Sequence, residues 1–151
     1  MSHSLYYNDF EVGQVFTSQA RTMTESDLTM FSMLTGDWNP VHNDAEFAKQ
    51  TRFGQRLMHG AFGIGLALGL MHNLGIFEDS AVALLDVQDW QFKEPVFIGD
   101  TLHLKLHILD KSLGRSGNTG RIGRRFELVN QHGKAAHTGR ADVLVRVNPV
   151  T

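Results

Sequence analysis

The chain has 151 residues, a formal net charge of -2, 42% hydrophobic and 20% charged residues, and no cysteine. These values are ordinary for a folded soluble protein, and the length suits a single domain over residues 1–151. They exclude disulfides and give no electrostatic basis for broad nucleic-acid binding, and the sequence predicts neither a signal peptide nor a membrane span, so we expect a cytoplasmic protein without nucleic-acid or membrane partners.

The first predicted elements are a strand and a helix. Residues 14–20 alternate loosely between apolar and polar side chains, which favours a short strand. Thr24 followed by Asp27 is typical of a helix start, and Gly36 provides a stop. Between these signals, apolar residues recur at helical spacing at Leu28, Phe31 and Leu34. The segment after Gly36 is therefore predicted to be a loop at a helix C-terminus.

A short helix is predicted next, over residues 45–51. Asp44 precedes it and is a good N-cap, because its side-chain oxygen can accept a hydrogen bond from a backbone N–H of the first turn. Phe47 and Ala48 are the residues of this helix that we expect to pack inward.

The most apolar segment runs from Gly60 to His72 and predicts a helix that is buried on most sides. Each of its glycines costs about 1 kcal/mol of helix propensity relative to alanine, so close packing must compensate. Ala61, Gly65 and Gly69 fall at i, i+4 and i+8. They are predicted to form a smooth stripe that a sheet or another backbone approaches closely.

After Asp79 the periodicity changes to two, which predicts strands. The predicted strands are residues 82–92, 101–110, 122–130 and 135–147. Residues 131–134, Gln-His-Gly-Lys, favour a hairpin turn. Because the helices are grouped ahead of most strands, the pattern predicts an α+β fold with one long buried helix beside an antiparallel sheet.

A candidate site lies in residues 36–42, Gly-Asp-Trp-Asn-Pro-Val-His. Pro40 fixes its own φ and disfavours a helical Asn39, so we expect a turn that can bring Asp37 and His42 to a common point. A carboxylate and an imidazole held together can exchange protons near neutral pH and act on one water. In the structural alternative, Asp37 caps a backbone amide and His42 caps a helix.

Other kinds of site have little support. No phosphate-binding loop or complete dinucleotide motif is present, and the histidines lack a metal-binding spacing, so we expect no cofactor and no metal. No serine lies in a Gly-x-Ser-x-Gly setting. A basic, glycine-rich stretch predicts a solvated hairpin or, alternatively, contacts to phosphates. It contains Lys111, Arg115, Arg121, Arg124 and Arg125.

Residues 31–42 and Ala48 resemble the hydratase signature of the MaoC-like, R-specific enoyl-CoA hydratases. The matching segment reads Phe-x-x-Leu-Thr-Gly-Asp-Trp-Asn-Pro-Val-His. Two further segments are similar to the same family in order and spacing. These are Met58-His59-Gly60 at the start of the long helix, and residues 92–100, Phe-Lys-Glu-Pro-Val-Phe-Ile-Gly-Asp.

The resemblance implies a hot-dog fold, in which a long central helix is wrapped by a curved antiparallel sheet. It also implies a homodimer whose sheets join edge to edge, with two active sites near the interface. In this interpretation Asp37 and His42 hold one water, and Gly60 offers its backbone N–H to an enolate oxygen at the positive end of the helix. Asn39 would fix the loop. Trp38 would help to shape the substrate pocket, although aromatic residues near an apolar helix more often belong to the core.

The implied function is that of a hydro-lyase. It would reversibly hydrate a trans-2-enoyl-CoA, or a related unsaturated acyl-CoA, to an (R)-3-hydroxyacyl-CoA, with Arg121 and Arg124 as candidate contacts to the coenzyme phosphates. Two alternatives stay open: an acyl-CoA thioesterase of the same fold, and a non-catalytic acyl-CoA-binding or regulatory module. The acyl chain, the choice between CoA and an acyl carrier protein, and the assignment of acid and base to Asp37 and His42 also stay open.

Overall fold

The computed structural model describes residues 4–148, and the predicted domain bounds therefore include three residues at each end that lie outside the described part. The helices in this part are α1 (Glu25–Thr35), α2 (Pro40–Asn43), α3 (Ala45–Lys49) and α4 (Gly60–His72). The strands are β1 (Val15–Thr17), β2 (Arg21–Thr22), β3 (Ala81–Leu84), β4 (Gln88–Phe92), β5 (Thr101–Leu113), β6 (Thr119–Val129), β7 (Ala135–Arg140) and β8 (Val143–Arg146).

The strands form one antiparallel sheet with the long pair β5 and β6 at its centre. On one side of β5 lie the short strands β1 and β2. On the far side of β6, β7 pairs along one half and β8 along the other, and these two strands are followed outward by β4 and β3. The predicted α+β class and antiparallel sheet are confirmed.

The outer strands differ from the prediction, which gave one strand over 82–92 and another over 135–147. Each is divided in two, and the breaks at residues 85–87 and 141–142 lie opposite each other. The N–H of Leu85 donates to the carbonyl of Asp142, and the N–H of Asp142 donates to the carboxylate of Asp86. Interruptions of this kind bend a sheet. Periodicity along one strand does not reveal them, because they depend on the partner strand.

The helix signals near the N-terminus agree with the structure. Thr24 and Asp27 form a reciprocal capping box, and Gly36 ends α1 in the left-handed conformation at φ 75. Asp44 caps α3 by accepting from the N–H of Phe47. The expectation that Phe47 packs inward is wrong, since its side chain is exposed, whereas Ala48 is buried as predicted.

The bounds of α4 match the prediction, but its buried side does not. Gly63 and Leu66, together with Ala67 and Leu70, face the sheet, where the inward leucines of β5 are fully buried. The predicted stripe of Ala61, Gly65 and Gly69 is exposed instead. Both sides of this helix are apolar, so composition could not indicate which one meets the sheet. Within residues 4–148, no helix is long and apolar enough to cross a membrane.

Candidate active site

The loop between α1 and α2 brings Asp37 and His42 together. Gly36 ends α1, Pro40 is the first residue of α2, and Asn39 caps that short helix with its side-chain oxygen. His42 Nε2 consequently lies 3.8 Å from Asp37 Oδ2. This gap exceeds a direct hydrogen bond, which reaches about 3.2 Å, and it allows one water to lie within hydrogen-bond distance of both atoms.

The other ring nitrogen of His42 determines which tautomer is present. Nδ1 lies 2.8 Å from the carbonyl oxygen of Leu57. A carbonyl can only accept, so Nδ1 carries the hydrogen, and in the neutral ring Nε2 keeps a free lone pair toward Asp37. The His42 side chain is 12% exposed, whereas that of Asp37 is 50% exposed. The imidazole is therefore held in place while the carboxylate faces solvent.

His59 packs against this pair, a role that the sequence pattern did not predict. Its ring stacks on His42 with centroids 3.8 Å apart and an interplanar angle of 26°. His59 Nε2 lies 3.1 Å from the carbonyl oxygen of Asp37 and 3.0 Å from Ser32 Oγ. The ring is 3% exposed, and burial lowers its pKa, which favours the neutral form. The position next to Gly60 in Met58-His59-Gly60 was the signal that could have identified it.

Asp37, His42 and His59 also form a group whose candidate ligand atoms all lie within 4.8 Å of one another. Two histidine nitrogens bind one ion well when their in-plane lone pairs converge on it. Stacked rings at this separation direct their lone pairs along nearly parallel lines, and His59 Nε2 already donates to the Asp37 carbonyl. The geometry of this group therefore favours proton chemistry over metal coordination.

A cavity of about 300 Å³ lies next to His42, while Asp37 is not among the residues that line it. Its wall includes His42, Phe53, Gly60, Phe92 and His137. Gly60 is the first residue of α4, and its N-cap, His59, makes no side-chain capping hydrogen bond. The first N–H groups of a helix lack intrahelical acceptors and carry the positive end of the helix dipole, so this end of α4 can stabilise a negative oxygen.

Two cationic side chains that were not among the predicted site residues line the same cavity, Arg52 and Lys93. The guanidinium of Arg52 lies over the ring of Phe53, 4.7 Å from its centroid. A guanidinium that packs over an aromatic ring has a defined orientation and can still form an ion pair with an anion. These residues, rather than the predicted arginines, provide positive charge at the cavity.

The remaining predicted site residues lie elsewhere. The side-chain oxygen of Asn39 accepts from the backbone N–H of Val41 in the first turn of α2, and Trp38 is 52% exposed. Neither residue lines the cavity. Arg121 forms ion pairs with Asp110 and Asp142 instead of projecting into solvent. Asp110 belongs to β5 and Asp142 lies in the break between β7 and β8, so both acidic partners come from outside the basic stretch of residues 111–125.

The prediction that Arg124 lies on a solvated hairpin or meets a phosphate is wrong. Its side chain is 1% exposed and lies between the rings of Phe77 and Phe126, at 5.0 and 5.2 Å from their centroids. Burial lowers its pKa to about 10. The physical reason is strand alternation, because Arg124 occupies an inward position of β6 between the buried Ile122 and Phe126.

His137, on β7, is a buried imidazole in the wall of the cavity. It is 4% exposed, and burial lowers its pKa to about 4. Below about pH 6.5 the unfolded chain takes up a proton that the folded chain accepts only near pH 4. This group therefore stabilises the fold above pH 6.5, and its contribution is lost as the pH falls.

We expect His137→Leu to make the free energy of unfolding less dependent on pH below pH 6.5. The free energy of unfolding should fall by about 3 kcal/mol less than in the wild type between pH 6.5 and pH 4. Denaturant titrations across this pH range measure the difference. Parallel profiles for the two proteins would show that His137 titrates normally in the folded chain.

Comparison with known proteins identifies the family to which this chain is similar. The family model described as "MaoC like domain" matches residues 9–128. A 3-hydroxybutyryl-CoA dehydratase from Methylorubrum extorquens is 34% identical over 106 residues, covering 70% of this chain and 65% of the relative. The chain spans between 30% and 65% of the length of three curated relatives that it matches at 34–36% identity.

Solved structures agree in fold. A monoamine oxidase regulatory protein from Archaeoglobus fulgius superposes with a TM-score of 0.88 at 32% identity, covering 97% of each chain. The R-hydratase PhaJ1 from Pseudomonas aeruginosa gives a TM-score of 0.81 at 28% identity, covering 96% of this chain and 88% of that one. A Mycobacterium tuberculosis protein with a double hot-dog fold shares the fold alone, at 17% identity and a TM-score of 0.87 over 99% of this chain and 46% of its own. The predicted hot-dog fold is thereby confirmed, and the chain belongs to the MaoC-like dehydratase family.

Proposed function

We propose that the protein is a hydro-lyase that reversibly adds water to a trans-2-enoyl-CoA and forms an (R)-3-hydroxyacyl-CoA. One observation carries the proposal: His42 Nε2 and Asp37 Oδ2 lie 3.8 Å apart, and His42 lines the same cavity as Gly60 at the start of α4. This arrangement combines a pair that can hold water with a backbone N–H that can bind an oxyanion. Family members named as hydratases and dehydratases support it.

The reaction requires two bonds to form across the double bond. The water oxygen attacks Cβ while the pair takes one of its hydrogens, and negative charge moves to the thioester oxygen as an enolate. The N–H of Gly60 donates to this oxygen, aided by the dipole of α4. A proton from the pair then reaches Cα, so that one water contributes the hydroxyl at Cβ and the hydrogen at Cα.

The two side chains share the proton during this cycle. In its neutral tautomer His42 presents an unprotonated Nε2, which can accept a hydrogen from the water, and the Asp37 carboxylate lies beside it to stabilise the imidazolium. Because both groups lie within reach of the same water, the acid and base roles are assigned to the pair and not to one residue. The cavity cations Arg52 and Lys93 are the candidates to meet the coenzyme phosphates, in place of Arg121 and Arg124.

A substrate panel tests the proposal. With crotonyl-CoA we expect loss of the conjugated thioester, formation of (R)-3-hydroxybutyryl-CoA and no release of free thiol. Thiol release from saturated acyl-CoA would identify a thioesterase instead. Saturable binding without any product would identify a non-catalytic module, an alternative that is relevant because one similar structure is described as a regulatory protein.

The buried hydroxyl of Ser32 gives the thioesterase little support. Ser32 Oγ lies 3.0 Å from His59 Nε2, and a hydroxyl paired with an imidazole is the arrangement that activates a serine nucleophile. However, Ser32 is 0% exposed, and the same His59 nitrogen donates to the Asp37 carbonyl. A thioester carbon cannot reach this hydroxyl without opening the packing of α1.

A homodimer forms part of the same proposal. Among the described residues β3 pairs only with β8 and β4 only with β7, so the outer edge of residues 81–92 is free. This edge exposes large apolar side chains, namely Val82, Leu84, Leu85 and Val87. Pairing with the same edge of a second copy would cover both features. Sedimentation equilibrium tests this, with a dimer expected for the wild type and a monomer for Leu84→Glu.

His59 is expected to act as a positioning residue for the pair. Removing its ring in His59→Ala takes away the stack on His42 and the hydrogen bond to the Asp37 carbonyl. We expect kcat for crotonyl-CoA hydration to fall by about tenfold to a hundredfold, because small displacements of reacting groups have effects of that size, while KM changes little. His59→Gln keeps an N–H at a similar reach and should recover part of kcat.

The matched control for this variant is His72→Ala, which removes an exposed histidine at the other end of α4. Its kcat should equal that of the wild type. An unchanged kcat in folded His59→Ala, or equal losses in the alanine and glutamine variants, would contradict the positioning role.

A further inference from the structure

The imidazole of His137 occupies a place in the cavity that depends on Gly63. A Cβ at Gly63 would lie 2.1 Å from His137 Cε1 and 2.3 Å from Nδ1, so no other residue leaves room for this ring. Phe92 packs edge-on against the same ring, with centroids 4.9 Å apart. The ring therefore lies against α4 one helical turn after Gly60, inside the cavity that contains His42.

The surroundings of His137 assign its proton. Nδ1 is enclosed and has no hydrogen-bond partner among the residues that the structure describes. A hydrogen on Nδ1 would be a buried donor without an acceptor, which is unfavourable, so the neutral ring carries its hydrogen on Nε2. Burial, which lowers the pKa to about 4, keeps the ring neutral at physiological pH. The cavity wall thus includes an uncharged N–H donor.

The position of this donor relative to Gly60 limits which substrate atom it can meet. Gly60 and Gly63 are three residues apart on α4. The Cβ positions of two such residues lie on one face of a helix, about 5–6 Å from each other. We place the thioester oxygen where it accepts from the Gly60 N–H. In a trans-2-enoyl chain, the distance from the thioester oxygen to an oxygen attached to C4 is comparable to this spacing of about 5–6 Å. A plain alkyl chain would leave the donor without a partner.

We propose that the cavity takes 2-enoyl thioesters that carry a hydrogen-bond-accepting oxygen at C4, and that His137 Nε2 donates to this oxygen. The inference rests on the proposed function and adds the substrate class. A hydroxyl and a carboxylate both supply such an oxygen. His137 is then a specificity-determining residue, whereas Asp37, His42 and Gly60 carry out the reaction.

A matched pair of substrates tests the proposal. trans-2-Pentenoyl-CoA and trans-4-hydroxy-2-butenoyl-CoA differ by a methyl and a hydroxyl at C4, and the monothioester fumaryl-CoA supplies a carboxylate there. We expect His137→Leu to lower the ratio of kcat/KM for an oxygenated substrate over pentenoyl-CoA by about five- to tenfold relative to the wild type. Intrinsic reactivities cancel in this comparison. The size of the loss for each oxygenated substrate distinguishes the hydroxyl from the carboxylate.

The control is His132→Leu, which removes an exposed histidine in the turn before β7 and should leave every ratio unchanged. Wild-type hydration of pentenoyl-CoA combined with unchanged ratios in His137→Leu would overturn this inference alone. Failure of the wild type to hydrate any of the three substrates would overturn the proposed function itself.

A measurement on the wild type makes the test independent of folding in the variant. Nitrogen NMR of the His137 imidazole reports its tautomer directly. With the unreactive saturated ligands pentanoyl-CoA and 4-hydroxybutanoyl-CoA, the Nε2 resonance should shift only for the hydroxylated one. An Nδ1–H tautomer, or equal shifts with both ligands, would contradict the proposal.

Discussion

Asp37→Asn and His42→Gln are each expected to lower kcat for crotonyl-CoA hydration by about 10²–10⁴-fold, the usual contribution of a general acid or base. Both substitutions keep the size and much of the hydrogen bonding of the original side chain, so the loop should stay folded. Asparagine cannot take up a proton, and glutamine cannot replace the basic Nε2 that faces Asp37. Initial rates over a range of substrate concentrations give kcat and KM separately.

The double variant makes this prediction sharper. Because the two groups act on one water, the loss in Asp37→Asn with His42→Gln should be close to that of the more damaging single change rather than to the product of both. Asp44→Asn is the matched control, since Asp44 also precedes a short helix but its carboxylate caps α3, where asparagine is an equally good N-cap. Wild-type rates in either single variant would remove the proposed pair.

Gly60→Pro is the second change with a large expected effect, because it removes the N–H that would bind the enolate oxygen. Proline is accepted at the first position of a helix, which Gly60 occupies. His59 has φ -64 and ψ 136, which is the extended conformation that a residue before proline prefers. The backbone should therefore keep its path, while kcat falls by about 10²–10³-fold, the usual effect of losing one oxyanion donor.

Gly60→Ala separates the lost N–H from the added carbon. A Cβ at this position would lie 3.0 Å from Cε1 of Phe92, a tight contact that the exposed Phe92 side chain can relieve by moving. Alanine keeps the N–H, so kcat should remain within about tenfold of the wild type. Equal activities for the alanine and proline variants would mean that the Gly60 N–H does not stabilise the reaction.

Much of the candidate site could be predicted because its parts lie close together in the chain. Asp37 and His42 are five residues apart across a proline, and turn chemistry alone brings them near one another. The role of Gly60 was implied by the resemblance of Met58-His59-Gly60 to the start of the long helix in the MaoC-like family. His59 was present in the same motif, but its contacts to Ser32 and to the Asp37 carbonyl join residues far apart in the chain.

The arginines illustrate the opposite situation. Arg121 and Arg124 were grouped by charge and by neighbouring glycines, whereas their environments depend on strand alternation, on Asp110 of β5 and on Asp142 between β7 and β8. The alternation of Ile122, Arg124 and Phe126 was visible in the sequence and points Arg124 inward. The charge of Arg124 alone indicates the opposite, because arginine side chains are mostly exposed.

The sequence by itself determined the helix caps at Thr24, Gly36 and Asp44, the extent of α4 and the turn at residues 131–134. These features rest on hydrogen bonds and conformational preferences within a few residues. Only the tertiary structure decided which side of α4 meets the sheet, where the outer strands break, and that His59 and His137 lie beside the candidate site. Those outcomes depend on contacts between distant segments, and local composition carries little information about the partner that each residue will meet.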